Sequence, residues 1–159
     1  MSTEWIEQQS AANQRAASEA EASSRRALDA TARIANRSGD VFQRFVSELK
    51  LNTDALSKLV GEELSGNTSP FGATSCQVNV TWHNIRYGPN IVSWNFHFSP
   101  DGIRFVIFGQ PERLFPFRIN RNGEVGIGYG DDIVTPEKMA ELTIKKMREL
   151  ARTASQSHV

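Results

Sequence analysis

Residues 74–129 read TSCQVNVTWHNIRYGPNIVSWNFHFSPDGIRFVIFGQPERLFPFRINRNGEVGIGY. Apolar and polar residues alternate here in five runs, each closed by a turn signal. Alternation marks a half-buried strand, because successive side chains point to opposite faces of a sheet. One face collects Cys76, Val78, Val80 and Trp82, then Trp94, Phe96 and Phe98, then Ile103, Phe105 and Ile107. It continues with Phe115, Phe117 and Ile119, and ends with Val125, Ile127 and Tyr129.

The turns set an expected register. Ser99-Pro100-Asp101-Gly102 pairs Phe98 with Ile103 and Phe96 with Phe105. A three-residue loop at Gln110-Pro111-Glu112 pairs Phe105 with Phe117, and a loop centred on Gly88 pairs Trp82 with Trp94. Asn122-Gly123 is the dipeptide of a two-residue hairpin turn. That turn would send Val125, Ile127 and Tyr129 to the face opposite the phenylalanines, since a one-residue slip inverts a strand. A three-residue loop with Gly123 in the left-handed conformation instead pairs Ile119 with Val125 and Phe117 with Ile127. The second reading keeps one apolar face across the sheet.

The predicted architecture is α+β: a five-stranded antiparallel meander with one face covered by helices, preceded by a long N-terminal helical arm. A sheet face this apolar needs a second layer. Residues 1–69 are read as the arm, with helices at about 3–38 and 40–65, and residues 70–159 as the sheet plus a C-terminal helix domain. Thr135-Pro136-Glu137 starts that last helix, with Thr135 as cap and Pro136 at the first helical position. Met139, Leu142, Ile144, Met147 and Leu150 give it an apolar stripe.

In the arm, Ser2 or Thr3 is placed to cap the start. Ala17, Ala20, Ser24, Ala27, Thr31, Ile34, Ser38 and Val41 recur at alternating steps of three and four, a heptad seam of mostly small residues. Gly39 reads as a break and Asp40 as a new cap, with Gln43 completing a capping box. The following stripe runs from Val41 and Phe42 through Leu56, Leu59, Val60 and Leu64 to a stop at Gly66, and Gly66–Gly72 reads as a linker.

The chain has 159 residues and a formal net charge of zero. Residues 1–69 carry 8 basic and 10 acidic side chains, residues 70–134 carry 5 of each, and residues 135–159 carry 5 and 3. No segment has the excess positive charge that nucleic acid or an anionic membrane would select. The single cysteine, Cys76, forms no internal disulfide and fits a reducing, cytoplasmic setting. No apolar run reaches membrane length and the N-terminus has no signal-peptide pattern.

Motifs of chemistry are absent. His83, His97 and His158 share no ligand spacing with Cys76, so no metal site is expected. Gly126-Ile127-Gly128-Tyr129-Gly130 follows a hairpin rather than opening a helix, so it reads as strand glycines and not a phosphate loop. No catalytic residues and no cofactor are assigned.

Two surfaces remain as candidates. On the polar sheet face, the expected register aligns Asn79, His97, Arg104 and Arg118 in one row beside an apolar patch containing Phe108, with Ile85 and Ile91 at its edge. Rigidly presented arginines suit carboxylate or phosphate. On the arm, Trp5 and Ile6 are anchors at the far end of the seam through Ala20, Ala27, Ile34 and Val41. The expected function is a non-enzymatic interaction or oligomerisation module, its partner a second copy of itself. The alternatives are an anion- or nucleic-acid-binding polar face, or a small enzyme with a pocket between sheet and helices and His83 or His97 as base. Inward-facing aromatics argue against nucleic acid, because single strands stack on exposed rings.

Overall fold

The computed structural model describes residues 3–156 except Val60, Glu62, Ile85 and Tyr87. The expectations at Ser2, Val60, Ile85 and His158 lie outside the described residues. Nine elements follow in order: α1 (Glu4–Leu56), β1 (Leu64–Pro70), β2 (Ser75–Asn84), β3 (Gly88–Ser99), β4 (Gly102–Val106), β5 (Arg113–Ile119), β6 (Val125–Tyr129), β7 (Asp132–Val134) and α2 (Pro136–Gln156). The class is α+β, and the sheet is an up-and-down antiparallel meander in sequence order.

The sheet has seven strands rather than five. β7 contributes three residues beside β6, too short for an alternation signal. β1 occupies the segment read as a linker. Its inward positions are Leu64, Gly66 and Thr68, so only one large apolar side chain advertises it. The small residues follow from the approach of α1. A Cβ on Gly66 would lie 2.9 Å from Leu56 Cδ1 and from Thr53 Cβ. Thr53 and Thr68 share a buried hydrogen bond of 2.9 Å across the same contact.

α1 is a single helix of 53 residues. The break expected at Gly39 does not occur. No atom lies within 4 Å of where a Gly39 Cβ would be, so this glycine sits on the solvent side. Its helix penalty of about 1 kcal/mol is outweighed by the residues on the opposite side. Ser38, Val41, Phe42, Phe45, Leu49, Thr53 and Leu56 are all buried, at helical spacing. Asp40 therefore caps nothing, and Gln43 donates instead to the Ala73 carbonyl at 2.7 Å. The helix ends at Leu56 rather than near residue 65. Gly61, with φ of +83°, reverses the chain into β1.

Both helices cover one face of the sheet. Phe45 meets Phe96 edge-on at 5.1 Å between ring centroids, and Phe42 meets Phe98 at 5.7 Å. Pairs of this kind add about 0.5–1.5 kcal/mol each to the area they bury. α2 starts as expected, with the Lys138 N–H donating to Thr135 Oγ1 at 3.1 Å. It buries Met139, Ala140, Ile144, Met147 and Ala151. Arg44 of α1 joins Glu137 of α2 at 2.5 Å and ties the helices together. Cys76 is buried in this core, and burial pushes its thiol up to about 12.

All four turn expectations can be compared directly. Phe98 pairs with Ile103, Phe96 with Phe105, Ile119 with Val125 and Phe117 with Ile127, all as read. Gly123 has φ of +78°, and its N–H donates to the Asn120 carbonyl at 3.0 Å. The other two hairpins slip. Trp94 pairs with Val78 and not Trp82, and Phe105 pairs with Arg113 and not Phe117. Both shifts are by four residues, which leaves every side chain on its expected face.

Candidate functional site

The two four-residue shifts dissolve the predicted polar row. The observed row is Ser75, His97, Arg104 and Leu114. Asn79 lies opposite Ser93, four residues along β3 from His97, which is about 13 Å of strand. Arg118 lies opposite Gly126, four residues along β5 from Leu114. Only His97 and Arg104 remain neighbours.

Their charges are accounted for. Arg104 approaches Glu112 at 3.4 Å and Asp101 at 3.7 Å. The hydrogen bond from Ser99 holds the Asp101 carboxyl below its usual range, with Arg104 assisting. His97 Nδ1 is 2.8 Å from Ser75 Oγ, and Asn79 accepts from Ser93 at 2.5 Å. Arg118 lies along the outer face over Gly128, where a Cβ would be 3.2 Å from its Nε. Phe108 is fully exposed on the loop between β4 and β5, away from these residues. The face presents separate polar pairs, and Arg104 already has two carboxylate neighbours.

The arm residues behave differently. Residues 3–29 are exposed throughout, and α1 first touches the rest of the chain where Arg33 Nη1 reaches the Gly123 carbonyl at 3.4 Å. The helix therefore projects about 45 Å beyond the sheet. The heptad seam is continuous with the buried stripe: Val41 and Ser38 are buried, Ile34 is half-buried, and Ala27 and Ala20 lie on exposed turns. Extended by the same steps, the seam reaches Asn13, Ser10 and Ile6. Trp5 is 67% exposed, Ile6 50% and Leu28 69%, large apolar areas with nothing intramolecular to cover them.

A third feature was not legible as a site. The inner sheet face keeps an open cleft of about 540 Å³ between the sheet and α2, where the sequence offered a pocket only as an alternative. Trp94, Phe105, Phe115 and Tyr129 form its sheet wall, and Leu142 and Leu150 belong to its helix wall. Arg113 and Lys146 also line it. Arg113 shares the inner-face register because it pairs with Phe105. The signal was present in the sequence: Arg113 stands two residues before Phe115 and four before Phe117, a cation in an apolar alternation. Neither His83 nor His97 lines the cleft. His83 is held by Ser65 at 2.9 Å on the opposite face.

Among the described residues, no group of three or more His, Cys, Asp or Glu is placed to hold a metal ion. No described helix is long and apolar enough to cross a membrane. No family model, curated protein or solved structure matches the chain.

Proposed function

We propose that the chain is a non-enzymatic self-associating module whose N-terminal arm pairs antiparallel with the arm of a second copy. The observation that carries this reading is the continuity of one stripe along α1, buried beyond Ser38 and uncovered before Ile34. A solvated helix of this length and composition is marginal alone, since most helical stability comes from packing an apolar face.

Charge supports the antiparallel sense. The outer half of the arm carries Glu4, Glu7, Glu19 and Glu21 against Arg15, and the inner half carries Arg25, Arg26, Arg33 and Arg37 against Asp29. Antiparallel arms set the acidic half of each against the basic half of the other, whereas parallel arms set like against like. The seam closes in that sense: Ser24 meets Ala20 of the second copy, Ala17 meets Ala27, Ser10 meets the half-buried Ile34, and Ile6 comes alongside the Ser38 turn, whose own side chain is already buried. Trp5 and Ile6, flanked by Glu4 and Glu7, then reach the base of the second arm. There a groove of about 500 Å³ is lined by Arg33, Arg37 and Arg44 against Asp40 and Glu124, a net positive set, with Val41 and Val125 as its apolar part.

Arms overlapping over about 48 Å with a strip about 10 Å wide cover roughly 1,000 Å² in total, at the lower edge of specific interfaces. The association is therefore moderate and concentration-dependent. The lone buried thiol of Cys76 is compatible with a reducing compartment such as the cytoplasm. The paired carboxylates around Arg104 weigh against an anion site on the polar face, and the histidine-free cleft weighs against acid–base catalysis there.

Light scattering after size-exclusion chromatography, over a hundred-fold range of concentration, tests the reading. The full chain should move from one copy to two, and Ala20→Glu with Ala27→Glu should hold it at one, with the melting temperature the full chain has at its lowest, monomeric concentration. Cysteines at Ser10 and Ile34 on separate copies should form a mixed disulfide. A full chain that stays monomeric at every concentration refutes the proposal, and a monomer–dimer shift without that cross-link refutes its antiparallel sense.

A further inference from the structure

We infer that the cleft between the sheet and α2 binds an amphipathic monocarboxylate, with its apolar body against the aromatic wall and its carboxylate at Arg113 and Lys146. The inference stands apart from the pairing of the arms, which uses other residues.

The argument begins with Arg113. Register places it on the inner face, directly opposite Phe105, which is 7% exposed. Its side chain is exposed, so the guanidinium is hydrated there and its fork is open to an incoming carboxylate. Arg113 makes no ion pair among the described residues, and no Asp or Glu is among the residues lining the cleft. Lys146 faces the same space from α2. Among the described residues it pairs with Glu149 at 3.7 Å, loosely, with both side chains more than half exposed. Two cations from two different elements thus line one apolar cleft whose lining includes no carboxylate.

The rest of the cleft defines the other end of the ligand. Trp94 and Phe105 pack edge-on at 4.8 Å, and Phe115 stacks on Tyr129 at 6.1 Å. These rings fix one another's orientation, so the wall is preformed. The volume of about 540 Å³ falls within the usual range for small-molecule sites. Apolar walls with a few convergent polar groups at one end are the general form of such sites. Arg113 offers a planar fork that matches a carboxylate bidentately, and Lys146 adds a point charge. A neutral ligand would leave both cations unanswered; because Glu149 already offsets part of the Lys146 charge, about one positive charge is left over, which one carboxylate matches. A single carboxylate on an apolar body answers the whole lining.

Calorimetry on the full chain, with decanoate and decanol as probes below the micelle-forming concentration of decanoate, tests the inference. Decanoate should bind once per chain, and decanol about ten-fold more weakly, the difference reporting charge-assisted hydrogen bonds. Arg113→Leu with Lys146→Met should reduce decanoate affinity to that of decanol and leave decanol unchanged. Both positions are exposed, and circular dichroism checks that the variant keeps its melting temperature. Leu142→Trp, which fills the cleft, should abolish both titrations. The inference is overturned if decanoate does not bind, if the two probes bind equally, or if the charge-removing variant keeps full affinity. It is equally overturned if decanoate lowers the mass of the assembly, which would identify a second copy's arm as the occupant.

Discussion

Gly66 provides the most direct test of how the helix and sheet layers meet. It lies in extended backbone in β1, directly under α1, so conformational freedom is not what it supplies. It supplies clearance. An alanine Cβ would sit 2.9 Å from Leu56 Cδ1 and Thr53 Cβ, and 3.0 Å from the Thr53 carbonyl oxygen. The leucine methyl can move, but the other two atoms belong to the helix itself. Relief requires α1 to lift from β1, which stretches the buried Thr53–Thr68 hydrogen bond. Overpacking costs about 1–3 kcal/mol and a weakened buried hydrogen bond about 1 kcal/mol. Against this, alanine loses less unfolded-state entropy by about 0.4–1 kcal/mol. Gly66→Ala should therefore destabilise the chain by about 2 kcal/mol, or about 4–8 °C in melting temperature at this size. Urea denaturation followed by circular dichroism measures it, at one fixed protein concentration because self-association adds stability. An unchanged or raised midpoint would show that the layers are not in contact at this point.

Two further predictions follow from the helices. Gly39→Ala, on the same helix but with open space around it, should stabilise by about 0.5–1 kcal/mol in the same assay, and a loss of stability would mean the helix is bent or broken there. Arg44→Met should cost at most about 1 kcal/mol at neutral pH, because both side chains of the Arg44–Glu137 pair are substantially exposed. Burial of the Glu137 carboxyl is the largest single influence and works to raise its pKa, but the hydrogen bond and charge of Arg44, its own backbone N–H and the Thr135 hydroxyl together hold it below the ordinary value of 4.5. A lowered folded-state value gives stability that is present above 4.5 and fades as pH falls through the folded value. The difference between the native chain and Arg44→Met should accordingly shrink as pH falls below 4.5 and the carboxyl is protonated, and a gap that persists after full protonation would assign the effect to packing of the arginine stem.

The inner face of the meander was readable because alternation reports which side of a sheet each residue takes. It reports nothing about sliding by an even number. Trp94 and Phe105 each kept their face while exchanging partners, and that sufficed to scatter Asn79, His97, Arg104 and Arg118. The Asn122-Gly123 turn came out correctly because its two readings differ by one residue, a difference that alternation does detect. β1 was missed because a strand lying under a close helix must be small, and small residues resemble a linker. The helix break at Gly39 was overcalled because local propensity, worth about 1 kcal/mol, was not weighed against the buried stripe at Val41, Phe42 and Phe45. Arg113 was overlooked as a site because each strand was read for its apolar members alone.

The absence of any joint in α1 has a mechanical consequence. The helix works as a lever with its fulcrum near Arg33 and Ser38, about 45 Å long on the solvent side and about 27 Å long on the side that lies among Phe42, Phe45 and Leu49. Load applied at Trp5 cannot be absorbed by a hinge at Gly39. It passes along unbroken helix to the turns that pack on the sheet, where Phe45 meets Phe96.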